Sequence, residues 1–228
     1  MRTVTAVAHR GDPYRVRENT LPSLRSALER GADAVEIDVR LTRDGVPVLL
    51  HDSSLKRLWG HDRPLSALSA DEVRGLTEGG VPALAEALAA TGDARIMVDL
   101  PGADARAVRT IVGVVRDCGA EERAYYCAGA EAMLKVRAAD RAAEIALTWT
   151  TLAPPRAALL KAVRPRWLNY RFPLVSSDLA AAVHREGYLV SAWTPDTKRS
   201  MRRLLDAGVD SITTNRVDVL TELRELQG

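Results

Sequence analysis

The sequence has 228 residues, of which 46% are hydrophobic and 27% charged, and lysine plus arginine exceed aspartate plus glutamate by only two. This composition is typical of a soluble globular protein, and it excludes the strongly basic surface of a nucleic-acid-binding protein. No apolar run approaches the ~20 residues of a membrane-spanning helix, and no secretory leader is visible, so we expect a cytoplasmic protein. We expect a monomer or homodimer. Cys118 and Cys127 have no metal-binding spacing, so we expect both cysteines to be free.

Nine segments have strand character, and helix-like stretches separate most of them. Strands are predicted at 4–9, 34–40, 46–51, 95–100, 124–128, 144–149, 166–170, 188–193 and 211–214. Helices are predicted near 21–30, 70–76, 83–91, 104–118, 130–139, 156–163, 177–186, 197–207 and 216–226. This alternation is typical of parallel α/β proteins, and the count fits an irregular (β/α)₈ barrel, the TIM barrel. We therefore expect a single domain over residues 1–228.

The first predicted helix carries clear boundary signals. Thr20 or Asn19 can cap its N-terminus, Pro22 lies in its first turn, and Gly31 follows its end. The second and third strands are joined only by Thr42-Arg43-Asp44-Gly45, which is too short for a parallel crossover. A hairpin is therefore predicted, in which residue i pairs with residue 87 minus i.

The stretch from 53 to 80 has little strand character and is predicted to be a small insertion into the barrel, here called the insertion. Six apolar side chains could pack it onto the barrel rim: Leu55, Leu58, Trp59, Leu65, Leu68 and Leu76. In the predicted hairpin register, His51 at the edge of the insertion lies opposite Glu36. That pairing would bring a histidine to the carboxylates of the second strand.

Ionisable residues fall at or near the ends of the predicted strands. Glu36 and Asp38 project to the same face of their strand, because alternate residues share a face. Two adjacent carboxylates repel each other unless a cation lies between them, and Asp99 at the end of a later strand is the best candidate for a third ligand. His9 and His51 beside such a cation would form a general acid and a general base.

These residues and several short motifs together resemble one enzyme family. The motifs are His9-Arg10-Gly11, Glu18-Asn19-Thr20, Glu36-x-Asp38, Thr42-x-Asp44-Gly45, His51-Asp52, Ala192-Trp193-Thr194, Gly208-Val209-Asp210 and Thr214-Asn215-Arg216. In this order and spacing they resemble the glycerophosphodiester phosphodiesterases. The resemblance covers most of the chain.

The resemblance implies hydrolysis of a small-molecule glycerophosphodiester to sn-glycerol 3-phosphate and an alcohol. It implies that His9 and His51 are the acid–base pair, and that Glu36, Asp38 and Asp99 hold a divalent cation, Mg²⁺ or Ca²⁺. The expected substrate-binding residues are Arg10, Glu18, Arg171, Trp193 and Asn215. For three of them other roles stay open: Arg10 could form a salt bridge to Glu18 or Glu36, Trp193 could be rim packing, and Asn215 could hold the barrel closed.

The chain departs from the family pattern after the fourth strand. Most relatives have Glu-x-Lys where this chain has Asp99-Leu100-Pro101, so a positive charge is missing from the expected phosphate pocket. Arg171, Arg15 or Arg17 is expected to compensate. Two alternative functions remain open: phosphodiester cleavage like that of lysophospholipase D or sphingomyelinase D, and a barrel that binds glycerophosphodiesters with weakened catalysis. Retention of both histidines argues against a pure binding protein.

Overall fold

A computed structural model describes residues 4–226, and eight parallel strands in it close into a barrel. Closure follows from the first strand, which pairs with both the second strand and the last. The strands are β1 (Thr5–His9), β2 (Ala34–Leu41), β3 (Pro47–Leu49), β4 (Arg95–Asp99), β5 (Ala124–Ala128), β6 (Glu144–Trp149), β7 (Trp167–Arg171), β8 (Leu189–Trp193) and β9 (Ser211–Thr214). Only β3 lies outside the barrel, antiparallel to β2. The predicted (β/α)₈ fold is confirmed.

Each barrel strand is followed by at least one helix. The helices are α1 (Leu21–Glu29), α2 (Lys56–Trp59), α3 (Ala70–Leu76), α4 (Leu84–Ala90), α5 (Ala105–Asp117), α6 (Ala130–Ala139), α7 (Ala157–Val163), α8 (Ser177–Arg185), α9 (Lys198–Asp206) and α10 (Val217–Glu225). All nine predicted helices are present. Within residues 4–226, the sequence pattern missed the four-residue α2 and two short 3₁₀ helices, Leu65–Ala67 and Phe172–Leu174. Within residues 4–226, no helix is long and apolar enough to cross a membrane.

Side chains alternate along each strand between two apolar cores, one between the barrel and the helices and one inside the barrel. Outward-facing residues such as Val35, Ile37 and Ile96 pack against the helices, and α5 contributes an apolar stripe with helical spacing. Inward-facing residues form an apolar floor made of Val7, Ala34, Met97, Tyr125, Cys127, Ala146 and Trp167. Towards the C-terminal ends of the strands, the inward positions become polar. Catalysis in such barrels occurs at this end.

The boundaries of α1 follow the predicted signals. The Thr20 hydroxyl accepts a hydrogen bond from the Ser23 amide at 3.3 Å, so Thr20 is the N-cap rather than Asn19. Gly31 follows the helix with a φ of +85°, a left-handed conformation that glycine adopts without steric cost. The helix therefore begins and ends where the sequence predicts.

The hairpin of β2 and β3 is present, but its predicted register is wrong by one residue. Val39 pairs with Leu49 and Leu41 with Pro47, so partner numbers sum to 88 rather than 87. Thr42 closes the loop, because its amide donates to the Val46 carbonyl at 3.0 Å. The loop thus has three residues and ends in Gly45 at a φ of +86°, a common hairpin geometry. In this register, continued pairing would place His51 opposite Ile37 rather than Glu36.

The insertion has its own apolar cluster, which packs against the hairpin. Leu55, Leu65 and Leu68 are buried with Val48 and Leu50 of the β3 segment. Leu58, Trp59 and Leu76 pack against this cluster and are partly buried. The six apolar residues predicted to anchor the insertion therefore share one cluster, which fixes the position of the chain that follows His51.

Candidate active site

A cavity of about 740 Å³ opens at the C-terminal ends of the barrel strands. Six of the ten predicted site residues line it, namely His9, Arg10, Glu36, His51, Asp99 and Trp193. Parallel pairing explains this convergence, because β1, β2 and β4 are neighbours and all end at the same face. His9 pairs with Glu36, and Asp38 pairs with Asp99.

Three carboxylates form a compact cluster beside this cavity. Glu36, Asp38 and Asp99 each offer an oxygen within 4.8 Å of the others. Glu36 and Asp38 are 3% and 1% exposed, so water does not screen their repulsion. Burial and the charges of Asp38 and Asp99 raise the pKa of Glu36 well above its usual value, and burial and Asp38 raise the pKa of Asp99 to about 7. An all-oxygen cluster with this electrostatic cost fits a hard divalent cation.

Asn19 fixes the orientation of Asp38. The Asn19 amide nitrogen donates to Asp38 Oδ2 at 2.8 Å, and its amide oxygen accepts from the Asp38 backbone at 3.2 Å. Asn19 has a φ of +55°, which asparagine tolerates better than most residues. Asn19 was predicted as a possible helix cap and as part of a family motif, but not as a partner of Asp38. The Glu18-Asn19-Thr20 motif was the signal for its role.

Arg10 is held by three carboxylates. Its amide donates to Glu36 Oε2 at 2.9 Å, and its guanidinium donates to Glu18 Oε1 at 3.0 Å. The Arg10 Nε atom lies 3.0 Å from Asp38 Oδ2 as an ion pair without an aligned hydrogen bond. Of the two salt-bridge partners considered from the sequence, Glu18 is confirmed, whereas Glu36 contacts the Arg10 backbone amide and the second salt bridge is to Asp38. Arg10 still lines the cavity.

Glu18 connects Arg10 to the insertion rather than lining the cavity. Its carboxylate accepts from Arg57 at 2.6 and 3.1 Å as well as from Arg10. Burial alone would raise the pKa of Glu18, but the hydrogen bonds and charges of Arg57 and Arg10 outweigh burial and lower it. Glu18 therefore stays ionised and positions both arginines.

His9 is oriented by a chain of hydrogen bonds that starts at Asp196. Asp196 accepts from the Asn215 side-chain amide at 2.8 Å and from the Asn215 backbone at 3.0 Å. This fixes the amide so that Asn215 Oδ1 faces His9 Nδ1 at 2.8 Å, which places a proton on Nδ1. Burial and the Arg10 charge lower the pKa of His9. His9 thus presents an unprotonated Nε2, which lies 3.9 Å from Glu36 Oε2.

His51 is oriented by its neighbour in the sequence. Its Nδ1 atom lies 2.8 Å from Asp52 Oδ1, and Asp52 Oδ2 accepts from Arg57 Nε at 2.6 Å. The hydrogen bond from Arg57, with that from His51, lowers the pKa of Asp52 to about 2. The backbone is also held, because Arg40 donates to the His51 carbonyl at 2.8 Å. Both histidines therefore use Nδ1 for orientation and leave Nε2 free.

Two of the predicted substrate-binding residues differ in their relation to the cavity. Trp193 lines it, and its indole N–H is buried without a hydrogen-bond partner. Arg171 does not line it: its guanidinium lies 5.6 Å from the centre of the Trp193 ring, in a separate pocket of about 390 Å³. The end of β7 directs Arg171 to the solvent, where the side chain is exposed.

The structure adds cavity residues that the sequence analysis did not select. Cys127, Thr148 and Asn169 come from the ends of β5, β6 and β7, and Lys135 comes from α6. Asn169 lies 3.1 Å from the Cys127 sulfur and 3.3 Å from the Thr148 hydroxyl. Burial raises the pKa of the Cys127 thiol, so it remains protonated. Cys127, Thr148 and Asn169 could have been predicted from the sequence, because they lie at or near the ends of predicted strands.

Comparison with known proteins identifies the family. The sequence pattern of the glycerophosphoryl diester phosphodiesterase family matches residues 9–219. The "probable glycerophosphodiester phosphodiesterase 2" of Mycobacterium tuberculosis is 32% identical over 98% of this chain and 91% of its own length. The glycerophosphodiester phosphodiesterase of Caldanaerobacter subterraneus subsp. tengcongensis is 27% identical over 95% of this chain and 96% of its own.

Solved structures show the same fold. A phosphodiesterase of Oleispira antarctica, in complex with the product sn-glycerol 3-phosphate, superposes with a TM-score of 0.87 at 22% identity, covering 98% of this chain and 97% of that one. The glycerophosphodiester phosphodiesterase of Thermotoga maritima gives 0.85 at 21% identity, covering 98% and 99%. The barrel, the clustered carboxylates and the sequence match lead to one conclusion: the chain belongs to the glycerophosphoryl diester phosphodiesterase family, and it is a phosphoric diester hydrolase.

Proposed function

We propose that the protein hydrolyses glycerophosphodiesters to sn-glycerol 3-phosphate and an alcohol in a metal-dependent reaction. The observation that carries the proposal is the placement of the three-carboxylate cluster next to two histidines that each leave Nε2 free. The product bound in the Oleispira antarctica structure supports the same substrate class. Water supplies the hydroxyl of the phosphate product, and its proton ends on the released alcohol.

Glu36, Asp38 and Asp99 would hold the cation, which we propose to be Mg²⁺ or Ca²⁺. Both ions prefer carboxylate oxygens, and the raised pKa values of Glu36 and Asp99 indicate negative charge that lacks compensation. When bound, such an ion would neutralise phosphate charge and polarise the phosphorus atom. Arg10 would assist in neutralising that charge.

His9 and His51 would divide the acid and base roles. One takes a proton from the nucleophile, which is water or the glycerol 2-hydroxyl by way of a cyclic phosphate, and the other protonates the leaving alkoxide. Each imidazole is fixed through Nδ1, by Asn215 in one case and Asp52 in the other. Fixed rings transfer protons without first having to be oriented.

The test is an incubation of the purified protein with glycerophosphocholine and Mg²⁺ or Ca²⁺, with and without EDTA, while sn-glycerol 3-phosphate is measured. We expect metal-dependent product that is lost in His9→Ala. His61→Ala is the matched control, because His61 contacts the Leu76 carbonyl in the insertion and does not line the cavity. Absence of product with either metal would contradict the proposal. A cyclic phosphate in the product mixture would identify attack by the glycerol hydroxyl.

A further inference from the structure

The charges that line the cavity are unbalanced. Four carboxylates line it, namely Glu36, Asp99, Asp104 and Glu131, and the Arg10 guanidinium is already paired with Glu18 and Asp38. A phosphodiester anion that enters this cavity needs positive charge on the side that faces away from the cluster. Within residues 4–226, only one other lysine or arginine side chain lines the cavity, and it is Lys135.

Lys135 lies on a wall made by two loops and the start of α6. Its ammonium donates to the Ala103 carbonyl at 3.2 Å, which draws the side chain from α6 towards the loop after β4. It also donates to Glu131 Oε1 at 2.8 Å. An ammonium has three protons, so one donor of Lys135 remains available. The Lys135 side chain is 26% exposed.

The carboxylates near Lys135 leave its charge available to a ligand. Glu131 is 88% exposed, and an ion pair with such an exposed partner contributes little stability. Asp104 acts on Lys135 through its charge, while its oxygen accepts from the Ala107 amide at 2.7 Å and caps α5. Replacement of the Glu131 carboxylate by a phosphate oxygen as the partner of Lys135 therefore costs little free energy. Small residues on the same wall, Gly102, Ala103, Gly129 and Ala132, leave space for the ligand.

The start of α6 adds positive potential to the same wall. Ala130, Glu131 and Ala132 in its first turn line the cavity. The N-cap residue Gly129 provides no side-chain acceptor, so the first amides of the helix have no side-chain cap. The dipole of α6 and the Lys135 ammonium therefore both contribute positive electrostatic potential to the cavity.

We propose that Lys135 binds the phosphodiester group of the substrate, with its ammonium donating to a non-bridging phosphate oxygen. The proposal rests on the proposed function, and it assigns to α6 a substrate-binding residue for that reaction. A lysine binds phosphate as a point charge, so the interaction needs an ammonium within reach rather than a fixed fork geometry. Arg171, the cation expected from the sequence, lies outside the cavity.

The test compares Lys135→Met, which keeps most of the stem and removes the charge, with Lys135→Arg, which keeps the charge. We expect kcat/KM for glycerophosphocholine to fall roughly 10- to 100-fold in Lys135→Met, as for a lost charge-assisted hydrogen bond, and to recover in part in Lys135→Arg. Lys198→Met is the matched control, because Lys198 forms an exposed pair with Glu222 and does not line the cavity. It should keep wild-type kinetics. Glu131→Gln should not lower kcat/KM, because Glu131 only competes with the phosphate for Lys135.

A second substrate and a binding measurement separate the possible failures. Glycerophosphoglycerol has a different head group, so phosphate binding predicts an equal loss for both substrates in Lys135→Met, and a loss with only one of them would overturn the proposal. Calorimetric titration with sn-glycerol 3-phosphate in Mg²⁺ tests the contact even if no diester is hydrolysed. Weaker binding by Lys135→Met than by the wild-type protein supports the proposal. Equal binding, absence of binding by both proteins, or kcat/KM within twofold of wild type overturns it.

Discussion

A single side-chain amide decides which nitrogen of His9 faces the cavity. Asn215 Oδ1 accepts from His9 Nδ1, and Asp196 prevents the amide from reversing because it accepts both the side-chain and backbone N–H groups of Asn215. The Thr214 hydroxyl also donates to Asp196, at 3.1 Å. The orientation of His9, one of the two proposed acid–base residues, thus depends on a carboxylate that does not touch it.

Replacement of Asn215 by alanine should therefore reduce turnover more than substrate binding. We expect kcat to fall roughly 10- to 100-fold and KM to change less than about twofold, because His9 loses its orienting acceptor while the substrate contacts remain. Asp196→Asn should have a smaller effect on kcat. Asn215 Oδ1 is still present as the acceptor for His9, and only the preference of the Asn215 amide for one orientation is lost. Steady-state kinetics of both variants would check this. A loss confined to KM would mean that Asn215 binds substrate instead.

The cluster of carboxylates should make the metal-free protein less stable as the pH rises. The pKa of Asp99 is raised to about 7 in the folded state, so the folded protein binds more protons than the unfolded chain from about pH 4 to about pH 7. Stability therefore decreases with increasing pH across this window. We expect the Tm in EDTA to fall between about pH 5 and pH 7.5, and Mg²⁺ to restore it most at the upper end.

Asp99→Asn tests this assignment, because it removes the charge of Asp99 from the cluster and one proposed metal ligand together. Its Tm in EDTA should depend less on pH, and Mg²⁺ should raise it less. Asp62→Asn is the control, since Asp62 is 75% exposed and pairs with Lys56 outside the cavity. An unchanged pH dependence in Asp99→Asn, measured by thermal melting, would contradict the prediction.

Gly11 cannot be replaced without moving the backbone beside Arg10. It has a φ of +87°, and an added Cβ would lie 2.4 Å from Ser23 Oγ and 2.7 Å from the Ser23 carbonyl oxygen. We expect Gly11→Ala to lower the free energy of unfolding by about 2 to 5 kcal/mol through strain and overpacking. Gly75→Ala is the control, because Gly75 lies in α3 with open space around it, and it should be neutral or stabilising. Urea denaturation of both variants measures the difference.

At the scale of elements, the four-residue α2 links the insertion to both halves of the site. Arg57 of α2 donates to Glu18, which holds Arg10, and to Asp52, which holds His51. One guanidinium therefore couples the insertion to both Arg10 and His51, although the insertion lies apart from the barrel strands that carry the carboxylates. This role of Arg57 was not predictable from the sequence, since α2 is too short to show a helical pattern.

Replacement of Arg57 by alanine should impair activity with little effect on stability. We expect kcat/KM to fall about tenfold, because Asp52 and Glu18 lose their common partner and hold His51 and Arg10 less firmly. The free energy of unfolding should change by less than about 1 kcal/mol, since the Arg57 side chain is 46% exposed. Lys56→Ala is the control, because neighbouring Lys56 pairs with Asp62, outside the cavity. Equal kinetics of the two variants would show that α2 has no part in the site.

The same scale shows why the hairpin register was predicted incorrectly. A Thr-x-Asp-Gly link is compatible with a loop of three or four residues, and a shift of one residue exchanges the faces of a strand. The Thr42 amide bond to Val46 and the left-handed Gly45 select the shorter loop. His51 reaches the cavity although it lacks the predicted pairing with Glu36, because β3 ends at Leu49 and the chain then turns.

For the molecule as a whole, the sequence predicted the features that repeat locally. Strand and helix periods, helix caps and polar residues at strand ends are local signals, so the barrel and the convergence of His9, Glu36, His51 and Asp99 could be inferred. The sequence could not reveal contacts between distant loops and helices, which is why Lys135 and Arg57 were missed. Arg171 shows the opposite error, since a position at a strand end does not determine whether a flexible side chain turns inward.

Barrel closure has a consequence for synthesis of the chain on the ribosome. His9 and its partner Asn215 are 206 residues apart, and β1 must pair with β9 to complete the sheet. A nascent chain that has not yet emerged as far as β9 has an open sheet and a His9 imidazole with no orienting amide. The hydrogen bond that orients His9 can therefore form only after the chain has emerged from the exit tunnel as far as Asn215.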